Sequence, residues 1–289
     1  MASEGLRIME SPDLQEPRLV LGFSGWMDGG EVSTGTVGYL VQRLQARPLA
    51  EICPGGFYVC SMPGPMEVAG LVRPHVRIRD GLIEAFTFPS NTFTYDSANH
   101  LVLFLGKEPH LRWDAYTDCI LEVCRRFCIR RLIFVGSLAS LVPHTREPRL
   151  FCSASHASLK AQYQRYGVRL TDYEGPASIA TYLTSRCGDA GLEMVNLMAT
   201  VPAYIQGSNP TCIEAMTRRL AGMLQIDVDM GDLRALCDDF ERRIAELIEG
   251  QPQLAKNIGR LEEDYDKEIF NSEMGELRQW LEEKGIRLD

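Results

Sequence analysis

The stretch RLVLGFSGWMDGGE, residues 18–31, runs from an apolar segment through a glycine-rich turn into a helical pattern. Arg18 to Phe23 reads as a first strand. Glu31 to Ala46 reads as a helix whose apolar side carries Val32, Thr36, Tyr39, Leu40 and Leu44, with Gly35 and Gly38 permitting close packing. Strand, tight turn and helix in that order open a crossover unit, and they make the chain an α/β protein from its first thirty residues. The turn also falls where nucleotide-binding proteins place a phosphate loop.

Working outward, the same alternation continues. Residues 51–95 hold short apolar runs, around 57–60, 76–78 and 83–88, broken by Pro54-Gly55-Gly56 and by Met62-Pro63-Gly64-Pro65, and predict an antiparallel insertion. Leu101-Val-Leu-Phe-Leu105 is wholly apolar and suits a central strand buried on both faces. Arg112 to Cys128 has a helical stripe of Tyr116, Ile120, Val123 and Phe127, followed by a strand at Leu132 to Val135, which completes a β-α-β unit. Further along, helices are predicted near 157–166, 176–186 and 210–224, with strands at 168–172 and 194–201. Two of these helices are read as starting at a proline, Pro176 and Pro210, where the missing N–H matters least.

Past Gly231 the strand signal ends. Leu233, Leu236, Phe240, Ile244, Leu247 and Ile248 mark one helix, and two more are predicted around 254–265 and 274–284. The expected organisation is a doubly wound, mostly parallel α/β core over 1–231 and a helical C-terminal appendage over 232–289.

Charge decides against the phosphate loop. Asp28 and Glu31 are both negative, the first lysine is Lys107, and the pattern is neither GxGxxG nor GxxxxGK[ST]. Asp28 is instead a good N-cap, and Glu31 three residues on completes a capping-box spacing worth about 1 kcal/mol. A further reading places Asp28 at a strand's carboxyl end, facing the crevice where open α/β sheets hold ligands. That crevice would gather Asp28, Gly29, Gly30, Gly136, Ser137, Glu174 and Tyr204, and its ligand would be cationic, hydroxylated or metal-borne.

Other templates fail. A net charge of -9 disfavours nucleic acid and acidic membrane surfaces. The N-terminus lacks a signal-peptide core, no apolar run approaches a membrane span, and the nine cysteines are odd in number, so a cytoplasmic protein with reduced thiols is expected. Cys119, Cys124 and Cys128 share a predicted helix without the paired C-x2-C spacing of metal sites, and core packing is their expected role. No two of the five histidines show metal-ligand spacing, and neither Ser24 nor Ser137 sits in G-x-S-x-G. No metal or cofactor is expected, and no catalytic motif is found.

Taken in order, FSGWMDGGE at 23–31, VRPHV at 72–76, FPSNTFTYD at 88–96, VGSLAS at 135–140, YEGPASIA at 173–180 and VPAYIQGSNP at 201–210 resemble the proteasome assembly chaperone 2 family, as a bacterial-type member, over about residues 18–250. The resemblance implies a sheet similar to that of nucleoside phosphorylases, self-association into closed oligomers with a trimer favoured, and chaperoning of proteasome α-subunits in eukaryotic and archaeal members. Bacterial relatives sometimes carry an ATP-grasp ligase label, but the lysines and metal-binding carboxylates of that chemistry have no counterpart here. The chain ends Arg287-Leu288-Asp289, not hydrophobic-Tyr-any residue, so docking on a proteasome by a C-terminal tail is not expected. Where the family usually starts its late helix with Gly-Pro-Thr-Gly-Ile, this chain has Gly175-Pro-Ala-Ser-Ile179.

Overall fold

A computed structural model describes residues 5–283, so the terminal Arg287-Leu288-Asp289 lies outside the described residues. In chain order the strands are β1 (Leu6–Ile8), β2 (Arg18–Ser24), β3 (Arg47–Ile52), β4 (His75–Arg79), β5 (Leu82–Thr87), β6 (Thr92–Asp96), β7 (Leu101–Lys107), β8 (Arg131–Ser140), β9 (Leu150–Ala154), β10 (Arg169–Leu170) and β11 (Glu193–Pro202). The helices are α1 (Val32–Arg43), α2 (Met66–Gly70), α3 (Trp113–Arg126), α4 (Ser158–Gln164), α5 (Ile179–Asp189), α6 (Pro210–Leu224), α7 (Gly231–Glu249) and α8 (Pro252–Glu283).

Nine strands form one sheet in the order β1-β3-β6-β7-β2-β8-β11-β9-β10. Its centre, β7-β2-β8-β11, is parallel, and antiparallel pairs flank it on both sides. Because successive side chains alternate faces, the central apolar runs supply two cores at once. Leu19, Leu21, Phe23, Phe104 and Phe134 point to the face covered by α3 and α5. Val20, Leu103, Val135, Leu197 and Val201 point to the opposite face, under α1, α4 and α6. Helices on both faces of a parallel centre make the fold doubly wound, as the sequence predicts.

The margins depart from expectation. β1, β3 and β9 have no counterpart among the predicted strands, the apolar run at 57–60 forms no strand, and the segment read as a strand over 168–172 contributes only the two residues of β10. α5 begins at Ile179 and not at Pro176, because the Ser178 hydroxyl accepts the Thr181 N–H and caps the helix there. The two helices predicted over 254–284 are the single α8, since no Pro or Gly interrupts the pattern between them. Lys284 lies outside the described residues. Cys119 and Cys124 are buried as expected, but Cys128 is exposed: it lies beyond the last turn of α3 with φ 56°. Burial pushes the Cys119 thiol up to about 11 and the Cys187 and Cys212 thiols up to about 12, which suits small hydrophobes.

α7 packs on α6 through Leu233 and Cys237, and α8 returns along the β9–β10 side. There Arg146 pairs with Asp266 at 2.8 Å, Arg149 with Glu268 at 2.5 Å, and the Arg149 guanidinium lies 4.0 Å from the Tyr265 ring centre. Residues 53–91 leave the sheet at the carboxyl end of β3, and β4 and β5 pair only with each other. Among the described residues no helix is long and apolar enough to cross a membrane.

Candidate functional site

β2 and β7 are adjacent parallel strands whose following helices, α1 and α3, go to opposite faces of the sheet. That divergence opens the crevice in which doubly wound folds place ligands. Here the chain fills it. Glu108, directly after β7, accepts the Trp26 N–H at 3.1 Å with one carboxylate oxygen and the Ile179 N–H at 3.1 Å with the other. Gly25, with φ 144°, lets the turn pass close by: a Cβ there would stand 2.9 Å from that of Glu108. The glutamate therefore occupies the anion position at the start of α5 and ties the first turn to the fifth helix.

Asp28 plays the corresponding part at α1. Its two carboxylate oxygens accept the Thr34 N–H at 3.0 Å and the Thr34 hydroxyl at 2.7 Å. The capping expected of Asp28 is thus real, but it acts across a 3-10 turn, Gly29–Glu31, on the third residue of α1. The capping box is not formed. Glu31 adopts φ 55°, is exposed, and its side chain makes no cap bond. At α6 the Asn209 side chain accepts the Cys212 N–H at 3.0 Å, with Pro210 at the first helical position as read from sequence. Three helix starts at this end, those of α1, α5 and α6, are thus satisfied by Asp28, Glu108 and Asn209, while α3 starts after Arg112 without a side-chain cap.

Five of the seven candidate residues come together. The Ser137 N–H donates to the Met27 carbonyl at 2.9 Å, and its hydroxyl donates to the Gly29 carbonyl at 2.7 Å. Gly30, at φ 63°, accepts the Asn209 N–H at 2.8 Å, and a Cβ on it would press 3.0 Å from that of Asn209. Gly136 lies beneath, where a Cβ would meet Phe134 and Met198 within 3 Å. Asp28, Gly29, Gly30, Gly136 and Ser137 thus form one junction. Glu174 and Tyr204 lie apart from it. Glu174 is exposed in the loop before α5. Tyr204 holds the 141–148 loop: its hydroxyl accepts the His144 N–H at 2.8 Å and lies 2.8 Å from His144 Nδ1. Burial lowers the His144 pKa and so favours the neutral ring beside that hydroxyl.

Three residues that organise this end were not among the candidates. Ser33 accepts the Phe23 N–H at 3.0 Å and donates to the Val135 carbonyl, joining α1 to β2 and β8. Asn91 accepts from the hydroxyls of Tyr58 at 2.7 Å and Tyr116 at 2.9 Å and from the Lys107 N–H at 3.1 Å. Glu108 is the third, and its signal was visible: Lys107-Glu108 is the first charged pair after the apolar run of β7. Replacing Glu108 by Ala frees two N–H groups and is expected to lower stability by about 1–2 kcal/mol. Hydrogen exchange would show it as faster exchange confined to the amides of Trp26 and Ile179.

Among the described residues no three His, Cys, Asp or Glu side chains converge as a metal set. Thr34 also borders a shallow groove of about 520 Å3 lined by Ser24, Val41, Thr92, Thr94 and Leu105. Burial raises the Asp28 carboxyl above its ordinary value, against the lowering by the Thr34 bonds.

The chain is thus a doubly wound α/β protein in which its own side chains, Glu108 and Asp28, occupy the helix starts at the strand ends. The chain belongs to the PAC2 family, whose model matches residues 22–248. It is similar to the proteasome-assembly chaperone homologue of Mycobacterium tuberculosis, with 30% identity, 83% of this chain and 99% of that chain covered, and a TM-score of 0.72. A protein of unknown function from the same organism aligns at 20% identity over 94% of this chain and 92% of that one, with a TM-score of 0.80. An archaeal proteasome activator from Pyrococcus furiosus aligns at 19% identity over 84% and 97%, with a TM-score of 0.62. The last two likenesses are of fold. No curated protein matches the chain significantly.

Proposed function

We propose that this chain is a self-associating, protein-binding protein of the assembly-chaperone type, working in the cytoplasm without a cofactor, as a closed homo-oligomer for which we favour a trimer. Its clients are other protein subunits, proteasome α-type subunits first among them. The observation that carries the reading is the occupation of the α1, α5 and α6 starts by Asp28, Glu108 and Asn209, beside exposed apolar side chains at the same end, Trp26, Leu138 and Leu141. A crevice filled from within suits a scaffold, and exposed apolar surface suits protein contacts. Kinship with the mycobacterial chaperone homologue supports it. The test mixes the full chain with purified proteasome α-subunits and measures mass by light scattering. A stoichiometric complex is expected, and its absence at micromolar concentrations rejects the α-subunit as client.

One observation favours a second reading, an enzyme or sensor that binds a nucleoside-like or amine-bearing small molecule beside Asp28: the groove bordered by Thr34. A thermal-shift screen with nucleosides and amino acids decides it, because ligand at a hundred times Kd stabilises by about 2.7 kcal/mol.

Asp28 also carries a pH signature. Its folded pKa is raised above the ordinary 3.8 by burial, so the stability it contributes is fully present below that ordinary value and is lost as pH rises through the folded value. Asp28→Asn keeps an acceptor for the Thr34 N–H and removes the titration. Its stability relative to the parent is therefore expected to improve between pH 3.5 and pH 7, followed by urea unfolding at each pH. Asp28→Ala loses the cap at every pH, by about 1 kcal/mol.

A further inference from the structure

β6 turns Phe93 and Tyr95 into the core under α3, so Thr92 and Thr94 stand on the opposite face of the sheet. Pairing places Thr92 opposite Leu105 of β7, and Ser24 of β2 beside Lys107, so these side chains share the face on which α1 lies. α1 rests there on β2, β7 and β8, and the groove of about 520 Å3 runs between it and β6. That volume falls inside the range of about 300–1,000 Å3 common for small-molecule sites.

The groove has apolar walls and one charge. Val41, Pro89, Leu105 and the methyl groups of Thr92 and Thr94 supply the walls. The hydroxyls of Ser90 and Thr92 lie 2.8 Å apart and bond each other, which leaves one of their two protons for a ligand. The charge is the Lys107 ammonium, and no carboxylate lines the groove: Asp28 stands behind Thr34, with both oxygens engaged. Among the described residues Lys267 is the only lysine in an ion pair, so Lys107 has no counter-charge from the chain. Its backbone, by contrast, is fixed. The Lys107 N–H donates to the Asn91 side chain at 3.1 Å, and its carbonyl accepts the Tyr58 hydroxyl at 2.7 Å. The root of the side chain is held while its head is left to a ligand.

A lone ammonium is a point charge with three donors and matches a single carboxylate. A phosphoryl dianion is met by an arginine fork or by several N–H groups at a helix start. Here the Thr34 N–H is already given to Asp28, whose own charge opposes a dianion. We propose that this groove binds a small monocarboxylic acid with an apolar body, its carboxylate on the Lys107 ammonium and its body between Val41, Leu105 and the threonine methyls. The inference rests on the second reading above for its groove, and it names the charged head of the ligand.

The experiment titrates the full chain calorimetrically with benzoate and hexanoate, and with benzyl alcohol, benzylamine and adenosine for comparison. Saturable one-to-one binding of an acid is expected, at least tenfold tighter than that of the alcohol. Lys107→Met keeps the apolar stem and both backbone bonds. It is expected to weaken the acid at least tenfold, with the melting temperature and the alcohol's affinity unchanged. Thr94→Phe fills the groove from β6 and is expected to abolish binding of acid and alcohol alike. Equal affinity of the parent and Lys107→Met for the acid overturns the proposal, as does acid binding that survives Thr94→Phe. Benzylamine or adenosine binding that Thr94→Phe abolishes, with no acid bound, overturns the acid and leaves the small-molecule reading standing. If no probe binds up to millimolar concentration, the inference and that reading fall together.

Discussion

Asn91→Leu is expected to lower stability by about 3–4 kcal/mol, a large share of the ordinary total of about 5–15 kcal/mol. Asn91 is fully buried just before β6, in the FPSN segment that closes the 53–91 insertion. One amide oxygen receives the Tyr58 hydroxyl, the Tyr116 hydroxyl and the Lys107 N–H, and the amide nitrogen lies 3.4 Å from the Ile52 carbonyl. Burial pushes the Tyr58 phenol up to about 12 and raises that of Tyr116, so both remain donors at neutral pH. A leucine there leaves three donors seeking acceptors. The Tyr58 hydroxyl can turn fully to the Lys107 carbonyl at 2.7 Å, the Tyr116 hydroxyl reaches that carbonyl only at 3.5 Å, and the Lys107 N–H loses its side-chain acceptor. Each orphaned buried donor costs about 1–3 kcal/mol. Tyr58→Phe alone is expected to cost about 1 kcal/mol, and in the Asn91→Leu background less than that, because it then removes an unpaired donor. Urea midpoints of the four proteins in this cycle measure the coupling, and strict additivity would show that Asn91 is not the shared acceptor.

The central architecture was readable because period-2 burial and full burial leave plain marks on a sequence. Leu101–Leu105 and Leu19–Phe23 are apolar without interruption, as strands covered on both faces must be, and both lie at the centre of the sheet. Marginal strands leave weaker marks. Leu6–Ile8 and Leu150–Ala154 gain their strand character from pairing with β3 and β11, and nothing local to them announces it. The junction at Asp28 was half legible: residue type and spacing pointed to a cap, while the 3-10 turn that moves the bond from the second or third following N–H to that of Thr34 depends on Gly30 entering the left-handed region beside Asn209. Glu174 and Tyr204 were grouped with Asp28 because all three stand at strand or helix ends, and position along the strand axis does not say which end neighbours which. Glu108 and Asn91 work through backbone and side-chain partners 16 to 82 residues away, a relation that spacing alone cannot express.

Gly22→Val is expected to be as damaging as Asn91→Leu, about 3–5 kcal/mol, for a different reason. Gly22 lies in β2 where α1 crosses closest. A Cβ at this position would stand 2.8 Å from the Ser33 carbonyl oxygen and 2.9 Å from a methyl of Val37. The first of these is backbone, so relief requires the helix itself to move. Ser33 is fully buried, and its hydroxyl spans from the Phe23 N–H to the Val135 carbonyl only because α1 sits this low on the sheet. Raising the helix by even half an ångström stretches both bonds, and it also pulls Thr34 from Asp28, since the two residues share the first turn of α1. Steric strain and lost hydrogen bonds therefore add along one displacement. Gly22→Ala should show the same direction at about 2 kcal/mol. Gly55→Ala provides the contrast: no atom lies within 4 Å of its would-be Cβ, and a change within about 0.5 kcal/mol is expected. If Gly22→Val unfolds at the same urea midpoint as Gly55→Ala, close approach of α1 to β2 is not what holds the FSGWMDGG turn in place.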